Sequence, residues 1–249
     1  LKHIHPTKLK TMTSQNLIFP AQAQVALPVQ ESDQSFPVGR VFCIGRNYPW
    51  SPEDRKETSE FPSWFMKPNS AVFLAEGVLP FPSATDDFCH EIELVVGVGK
   101  GGFNIDREQV ESQYVWGYAV GLDLTRRDLQ KQAKAHGGPW EPSKAFDASA
   151  PCSPMVPVKV CGHPRHNAIW LNVNQEQRQR AVIADLLFDV PDLIATLSRS
   201  VTILPGDLIF TGTPVGVGSL QANDHIQAGI SGLGEISMRV GPRPTPSSF

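Results

Sequence analysis

The segment His90-Glu91-Ile92-Glu93-Leu94-Val95-Val96 sets two carboxylates one residue apart in an otherwise apolar run. Successive side chains of a strand point to opposite faces, so Glu91 and Glu93 aim together while Ile92 and Leu94 pack the other way. Val95 and Val96 continue the run as a buried strand, a setting in which carboxylates are rarely left unpaired. A second apolar run, residues 116–122, ends on a third acid, Asp123. Acids converging from one strand need a cation, and a hard divalent ion completed by water or substrate oxygens is the economical partner. The alternative is a solvated strand face with two unrelated glutamates; the flanking valines weigh against it.

The rest of the chain has the same strand character. Short apolar runs at residues 41–44, 64–66, 92–98, 116–122, 168–173 and 208–210 are separated by Pro, Gly and Asp turns. Helix signals are few. Asp106 reads as an N-cap with Gln109 completing a capping box, and Thr125 opens a helix stopped by Gly137-Gly138-Pro139. A third helix is predicted from near Asp189 through Leu197, with Pro191 in its first turn. Strands outnumber helices without regular alternation, which predicts an α+β, β-rich mixed-sheet fold rather than a doubly wound one.

With 249 residues the chain can bury one sizeable core. Residues 1–38 read as an N-terminal arm, partly leader or added sequence, 39–240 as the catalytic domain and 241–249 as a disordered, Pro-rich tail. The net charge of −3 gives no reason to expect nucleic acid or an anionic membrane as partner, and no apolar stretch is long enough to span a bilayer. A small-molecule ligand and a cytoplasmic location are the expectation. Cys43, Cys89, Cys152 and Cys161 lie far apart and read as reduced thiols rather than as a disulfide or zinc framework.

Two glycine-rich segments are weaker signals. The 97–102 segment fits G-x-G-x-x-G, but the next helix signal waits until Asp106, so it reads as a turn rather than a dinucleotide site. The 211–218 segment lacks the lysine of a phosphate loop and is a candidate for close backbone approach to a small anion.

Taken in order, Gly45-Arg46-Asn47-Tyr48, Phe65-Met66-Lys67-Pro68, His90-Glu91-Ile92-Glu93-Leu94, Gly117-Tyr118 with Asp123, Arg127 and Asp128, Ser143-Lys144-Ala145-Phe146-Asp147, and the run from Pro205 to Pro214 resemble the fumarylacetoacetate hydrolase family. The likeness runs over residues 41–240, and within the family it is nearest to bacterial fumarylpyruvate hydrolases of gentisate breakdown. It implies the C-terminal-domain-like fold of that family, a homodimer, and a Mg²⁺ or Mn²⁺ ion held by Glu91, Glu93 and Asp123. It also implies a 2-oxo acid substrate, an acylpyruvate, chelating the ion through its carboxylate and 2-oxo oxygens. Water attacks the distant carbonyl and carbon–carbon cleavage expels pyruvate as its enolate, whose charge the ion stabilises. Lys144 matches the lysine beside the metal, orienting water or stabilising the oxyanion. Gln130 and Thr213 match substrate contacts, and Arg46, Lys67 and Arg127 are cations available to carboxylates or to the metal shell.

The chain departs from the family where the family sets its base. A His and, three residues on, a Glu usually follow Asn-Tyr on a short lid helix; here Ser51 and Asp54 hold those positions, between prolines 49 and 52. Serine is no base near neutral pH, which leaves Glu53 or Asp54 to activate water once lid closure desolvates it. Gln175 replaces the glycine of a V-N-G turn, which predicts a changed turn there. His136 could supply a base only if the fold brings it near Asp123, and His90 could support a metal ligand. Three readings follow: an acylpyruvate hydrolase with fumarylpyruvate favoured, an oxaloacetate decarboxylase or tautomerase using the same metal enolate, or a binding protein that has lost catalysis.

Overall fold

The computed structural model describes residues 17–51, 53 and 61–244. The leader read into the first residues lies largely outside them, as do Asp54 with most of the lid segment, and the last five residues of the tail.

The β-rich α+β expectation holds. Among the described residues, five short α-helices accompany a mixed eight-stranded sheet, a five-stranded sheet and two small ones. Ile92–Val98 lies at the heart of the larger sheet, antiparallel to Val115–Leu122 on one side and to Leu208–Phe210 on the other. Val41–Gly45 runs parallel to Leu208–Phe210 and carries the edge strand Ser63–Lys67. The five-stranded sheet is ordered Glu176–Val182, Ala168–Val173, His225–Ile230, Gly234–Val240, Glu76–Leu79.

Alternation along Ile92–Val98 divides the interior. Ile92, Leu94, Val96 and Val98 enter the large core, shared with Ile169, Leu171, Ile226 and the apolar side of helix Val190–Ser200. Val95 faces the other way into a smaller core with Val41, Ala119, Met155 and Phe210. Glu93 shares that second face by strand periodicity. The stretch read as an arm contributes here: Ala26–Pro28 and Ser35–Pro37 pair as a hairpin and bury Leu27, Val29, Phe36 and Val38 in the smaller core. Burying a large aliphatic or aromatic side chain is worth about 1.5–3 kcal/mol, so this hairpin is part of what the sheet rests on.

Helix Val190–Ser200 begins as predicted, with Asp189 accepting from the Asp192 amide in a reciprocal capping box. Helix Arg127–His136 ends at Gly137 in the left-handed region, but starts two residues late because Thr125–Arg126 pairs with Phe88–Cys89. The capping box at Asp106 does not form. Its carboxylate accepts from the Glu108 amide, and a 3₁₀ turn precedes helix Val110–Gln113. The expected change at Gln175 is not found either: Asn174 and Gln175 join Ala168–Val173 to Glu176–Val182 as a two-residue hairpin loop, both at positive φ (51° and 70°). A tight hairpin requires that backbone, and the flanking pairing enforces it on glutamine. No helix among the described residues is long and apolar enough to cross a membrane.

Candidate metal centre and active site

Glu91, Glu93 and Asp123 each offer a carboxylate oxygen within 4.8 Å of the other two. Backbone pairing builds the cluster: Glu93 stands opposite Gly121, and the Asp123 amide donates to the Glu91 carbonyl at 2.9 Å. A side chain at Gly121 would meet Val95 and Phe210, so this position keeps the face beside Glu93 closed to anything larger than glycine. All three acids are buried, at 6%, 1% and 1% exposure.

Two buried lysines answer them. Lys144, in the one-turn helix Glu141–Lys144, donates to Glu91 Oε2 at 2.8 Å and to Asp123 Oδ2 at 2.7 Å. Lys67, at the end of the edge strand, sits 2.9 Å from Asp123 Oδ1 and donates to the carbonyls of Leu124 and Lys144. Arg127 approaches Glu91 at 3.4 Å. Glu93 has no cation within ion-pair distance among the described residues; it accepts from the Gly212 amide at 2.7 Å. That amide is set by a glycine at φ 102°, whose missing Cβ would lie 2.6 Å from Asn47 Cβ. Asn47 in turn donates to the carbonyls of Phe188 and Thr211 and accepts from the Phe188 amide, locking three loops around the site.

The electrostatics separate the acids. Burial pushes Glu93 well above the ordinary carboxylate range, and Asp123 and Glu91 push it further. Burial also acts upward on Asp123, but Lys144 and Lys67 outweigh it and hold that carboxyl low. For Lys144 the penalty of burial is likewise overcome, by Asp123 and Glu91, and its ammonium is held above the ordinary lysine range. Lys144, Lys67 and Arg127 all pair with Glu91 or Asp123, which leaves Glu93 desolvated with no cation beside it among the described residues.

This arrangement fits a divalent ion. The donors are all carboxylate oxygens, the preference of hard cations such as Mg²⁺ and Mn²⁺ rather than of soft ones. Asp123 Oδ1 is buried without a hydrogen bond, its ion pair with Lys67 lying off the hydrogen-bonding direction. Glu93, the acid without a cation, is the one whose burial an added positive charge would relieve most.

The cluster forms one wall of a cavity of about 480 Å³, which Arg46, Arg127, Gln130, Lys144 and Thr213 also line. Gln130 is buried and accepts from Arg127 at 2.7 Å. Thr213 accepts from Gln179 at 2.8 Å. Arg46 is exposed at the rim, in the left-handed region at φ 56°. Lys67 lies behind Asp123 and is not among the cavity-lining residues. Glu53 is exposed and does not line the cavity, and Asp54 lies outside the described residues. His136 is exposed at the end of its own helix, bonded to the Gln132 carbonyl, and does not reach the acids. His90 is buried against Gln179, which also accepts from the Ile92 amide and donates to the Pro214 carbonyl. Gln179 is thus the post that ties the E-x-E strand to the Thr213 loop. In sequence it is one polar residue of the run Glu176–Val182 (EQRQRAV), and only its inward alternation could have singled it out.

Comparison with known proteins agrees with the geometry. Residues 40–241 match the fumarylacetoacetate (FAA) hydrolase C-terminal family. A fumarylpyruvate hydrolase of Ralstonia sp is 37% identical, over 77% of this chain and 97% of that protein. A mitochondrial oxaloacetate tautomerase of Mus musculus is 40% identical, over 80% of this chain and 89% of that one. The crystal structure of fumarylpyruvate hydrolase from Pseudomonas aeruginosa in complex with Mn²⁺ and pyruvate is 46% identical with a TM-score of 0.87, covering 92% of this chain and all (100%) of that one. The chain belongs to the fumarylacetoacetate hydrolase family.

Proposed function

We propose that the protein is a Mg²⁺- or Mn²⁺-dependent acylpyruvate hydrolase, with fumarylpyruvate the favoured substrate. The observation that carries this reading is the buried triad of Glu91, Glu93 and Asp123, with Glu93 lacking a cation partner among the described residues, at the end of a cavity lined by cations and amides. An ion held there supplies Lewis-acid stabilisation of negative charge developing on a 2-oxo acid. It also adds positive charge at the acid end of the cavity, which suits an anionic substrate. The relative from Pseudomonas aeruginosa, with Mn²⁺ and pyruvate in its crystal structure, supports the same assignment.

The chain's own residues have separable tasks. Lys144 pairs with Glu91 and Asp123, helps to hold the Asp123 carboxyl low, and presents an ammonium donor beside the reacting carbonyl. Lys67 holds Asp123 from behind and fixes the backbone on both sides of the site. Gln130, steadied by Arg127, and Thr213, steadied by Gln179, offer side-chain hydrogen-bonding groups that orient the substrate. Water activation falls to a lid carboxylate, Glu53 or Asp54; Glu53 is exposed and is not among the residues lining the cavity.

A second reading rests on Ser51 occupying the position of the family's histidine. Oxaloacetate tautomerisation or decarboxylation needs no activated water, and oxaloacetate tautomerases are among the relatives. One assay separates the two: turnover of an acylpyruvate and of oxaloacetate by chelator-treated protein, with and without added Mg²⁺ or Mn²⁺. Metal-dependent cleavage of the acylpyruvate is expected. Turnover of oxaloacetate alone would replace the hydrolase reading with the second, and silence on both would retire catalysis by this triad.

A further inference from the structure

The hydrogen bonds of the cavity wall run outward in a chain of cations. Arg127 touches Glu91 at 3.4 Å and donates to Gln130 Oε1 at 2.7 Å; Lys134, one helical turn further on, reaches the same oxygen at 3.5 Å. Two cations therefore share one neutral amide acceptor. Lys134 is also braced over the Trp140 ring, 4.8 Å from its centroid. Arg46 lines the same cavity and is close enough to act on Lys134: burial first, then Arg127 and Arg46, draw that ammonium below its ordinary range. Neither Arg46 nor Lys134 has a carboxylate within 4.0 Å among the described residues, although the acids of the site are a few side chains away.

Two cations, Arg46 and Lys134, gathered on a concave wall without a carboxylate partner among the described residues mark a place for an anion. The acid end of the cavity takes the pyruvyl carboxylate and 2-oxo oxygen in the proposed function, on which this inference rests. The other end of the substrate then extends toward the mouth, where exposure rises from buried Glu91 through half-buried Arg127 to exposed Lys134. We propose that Lys134, with Arg46 and Arg127, binds a second carboxylate at the far end of the acyl group, and so selects carboxylate-terminated acylpyruvates over neutral ones. Lys134 is the specificity-determining residue of the three, because Arg127 is already engaged by Glu91 and Gln130. The Trp140 ring holds its ammonium in place before the ligand arrives, lowering the entropy lost on binding.

A lysine merely packed on a tryptophan would leave such selectivity unmoved, and this gives the test. Mg²⁺-loaded protein saturated with pyruvate is titrated with fumarate and, separately, with crotonate, which differ in the far carboxylate; binding is read from tryptophan fluorescence. Wild-type protein is expected to bind fumarate about tenfold more tightly than crotonate. Lys134→Gln should bring the two within about twofold, and Lys134→Arg should retain most of the preference. Equal affinities in the wild type, or a preference unchanged in Lys134→Gln, would overturn the proposal. The two readings fail separately. A fumarate preference that depends on Lys134 in a protein that cleaves no acylpyruvate would keep the anion site and retire the hydrolase, and cleavage without that preference would do the reverse.

Discussion

Lys144→Met removes one ammonium from a pocket that holds three carboxylates. The lysine is 2% exposed and lies within 2.8 Å of Glu91 and 2.7 Å of Asp123. Methionine fills similar space, so what is lost is charge. Glu91 keeps Arg127 at 3.4 Å and Asp123 keeps Lys67 at 2.9 Å, neither replacing the two short bonds. Removing one partner of a buried ion pair costs about 3–5 kcal/mol. For a chain of this size that corresponds to a fall in Tm of about 6–20 °C. The sign with pH is fixed by linkage. Lys144 is held above its unfolded value, so its contribution is fully present below that value and is lost only as pH rises through the higher, folded one. At pH 8 and pH 5 the wild type therefore keeps it. In the variant the acids released from Lys144 take up protons on acidification, so the difference in Tm should shrink substantially between pH 8 and pH 5. Thermal unfolding of chelator-treated protein at both values is the assay, and added Mg²⁺ should restore part of the loss at pH 8. A loss under about 1 kcal/mol at pH 8, or an equal loss at both pH values, would refute the electrostatic account.

Other outcomes follow from the same geometry. Glu93 is held well above its unfolded value, so metal-free protein should lose stability as pH rises from the unfolded carboxylate range toward that raised value. Glu93→Gln should flatten this slope and raise the Tm of metal-free protein at pH 8, while weakening its stabilisation by Mn²⁺; an unchanged slope in unfolding scans from pH 5 to 8 would count against it. Gln175→Gly relieves a left-handed residue at φ 70° and should stabilise the protein by about 0.5–1 kcal/mol after the added chain entropy of glycine is subtracted, read in urea unfolding. A destabilised variant would show that the Gln175 side chain contributes more than its backbone costs.

The legible part of the site is the part built by strand periodicity. Glu91 and Glu93 could be placed on one face because Ile92–Val98 alternates into two cores, and Asp123 because it ends the neighbouring run. Lys144 and the cavity-lining residues Gln130 and Thr213 are marked by ordered motifs rather than by any local pattern. What stayed hidden depends on distant packing. Gln179 on the second sheet reaches the centre through a bond from the Ile92 amide, 87 positions away, which no window of sequence contains, whereas Lys67 stands in a motif that already marks it as a cation available to carboxylates. Lys134 looks like any solvated lysine of an amphipathic helix until Gln130 and Trp140 are seen beside it. The hairpin loop at Asn174 and Gln175 runs against the propensity of glutamine because the pairing of Ala168–Val173 with Glu176–Val182 forces it, and that pairing is not visible at one residue.

The central claim is that Glu91, Glu93 and Asp123 together hold one divalent ion. Titration of chelator-treated protein with Mn²⁺, following the free ion by electron paramagnetic resonance, tests it without reference to any substrate. One ion bound per chain in the wild type, and binding lost in both Glu91→Ala and Asp123→Ala with the fold retained, is the predicted result. Undiminished Mn²⁺ affinity in both variants would contradict it.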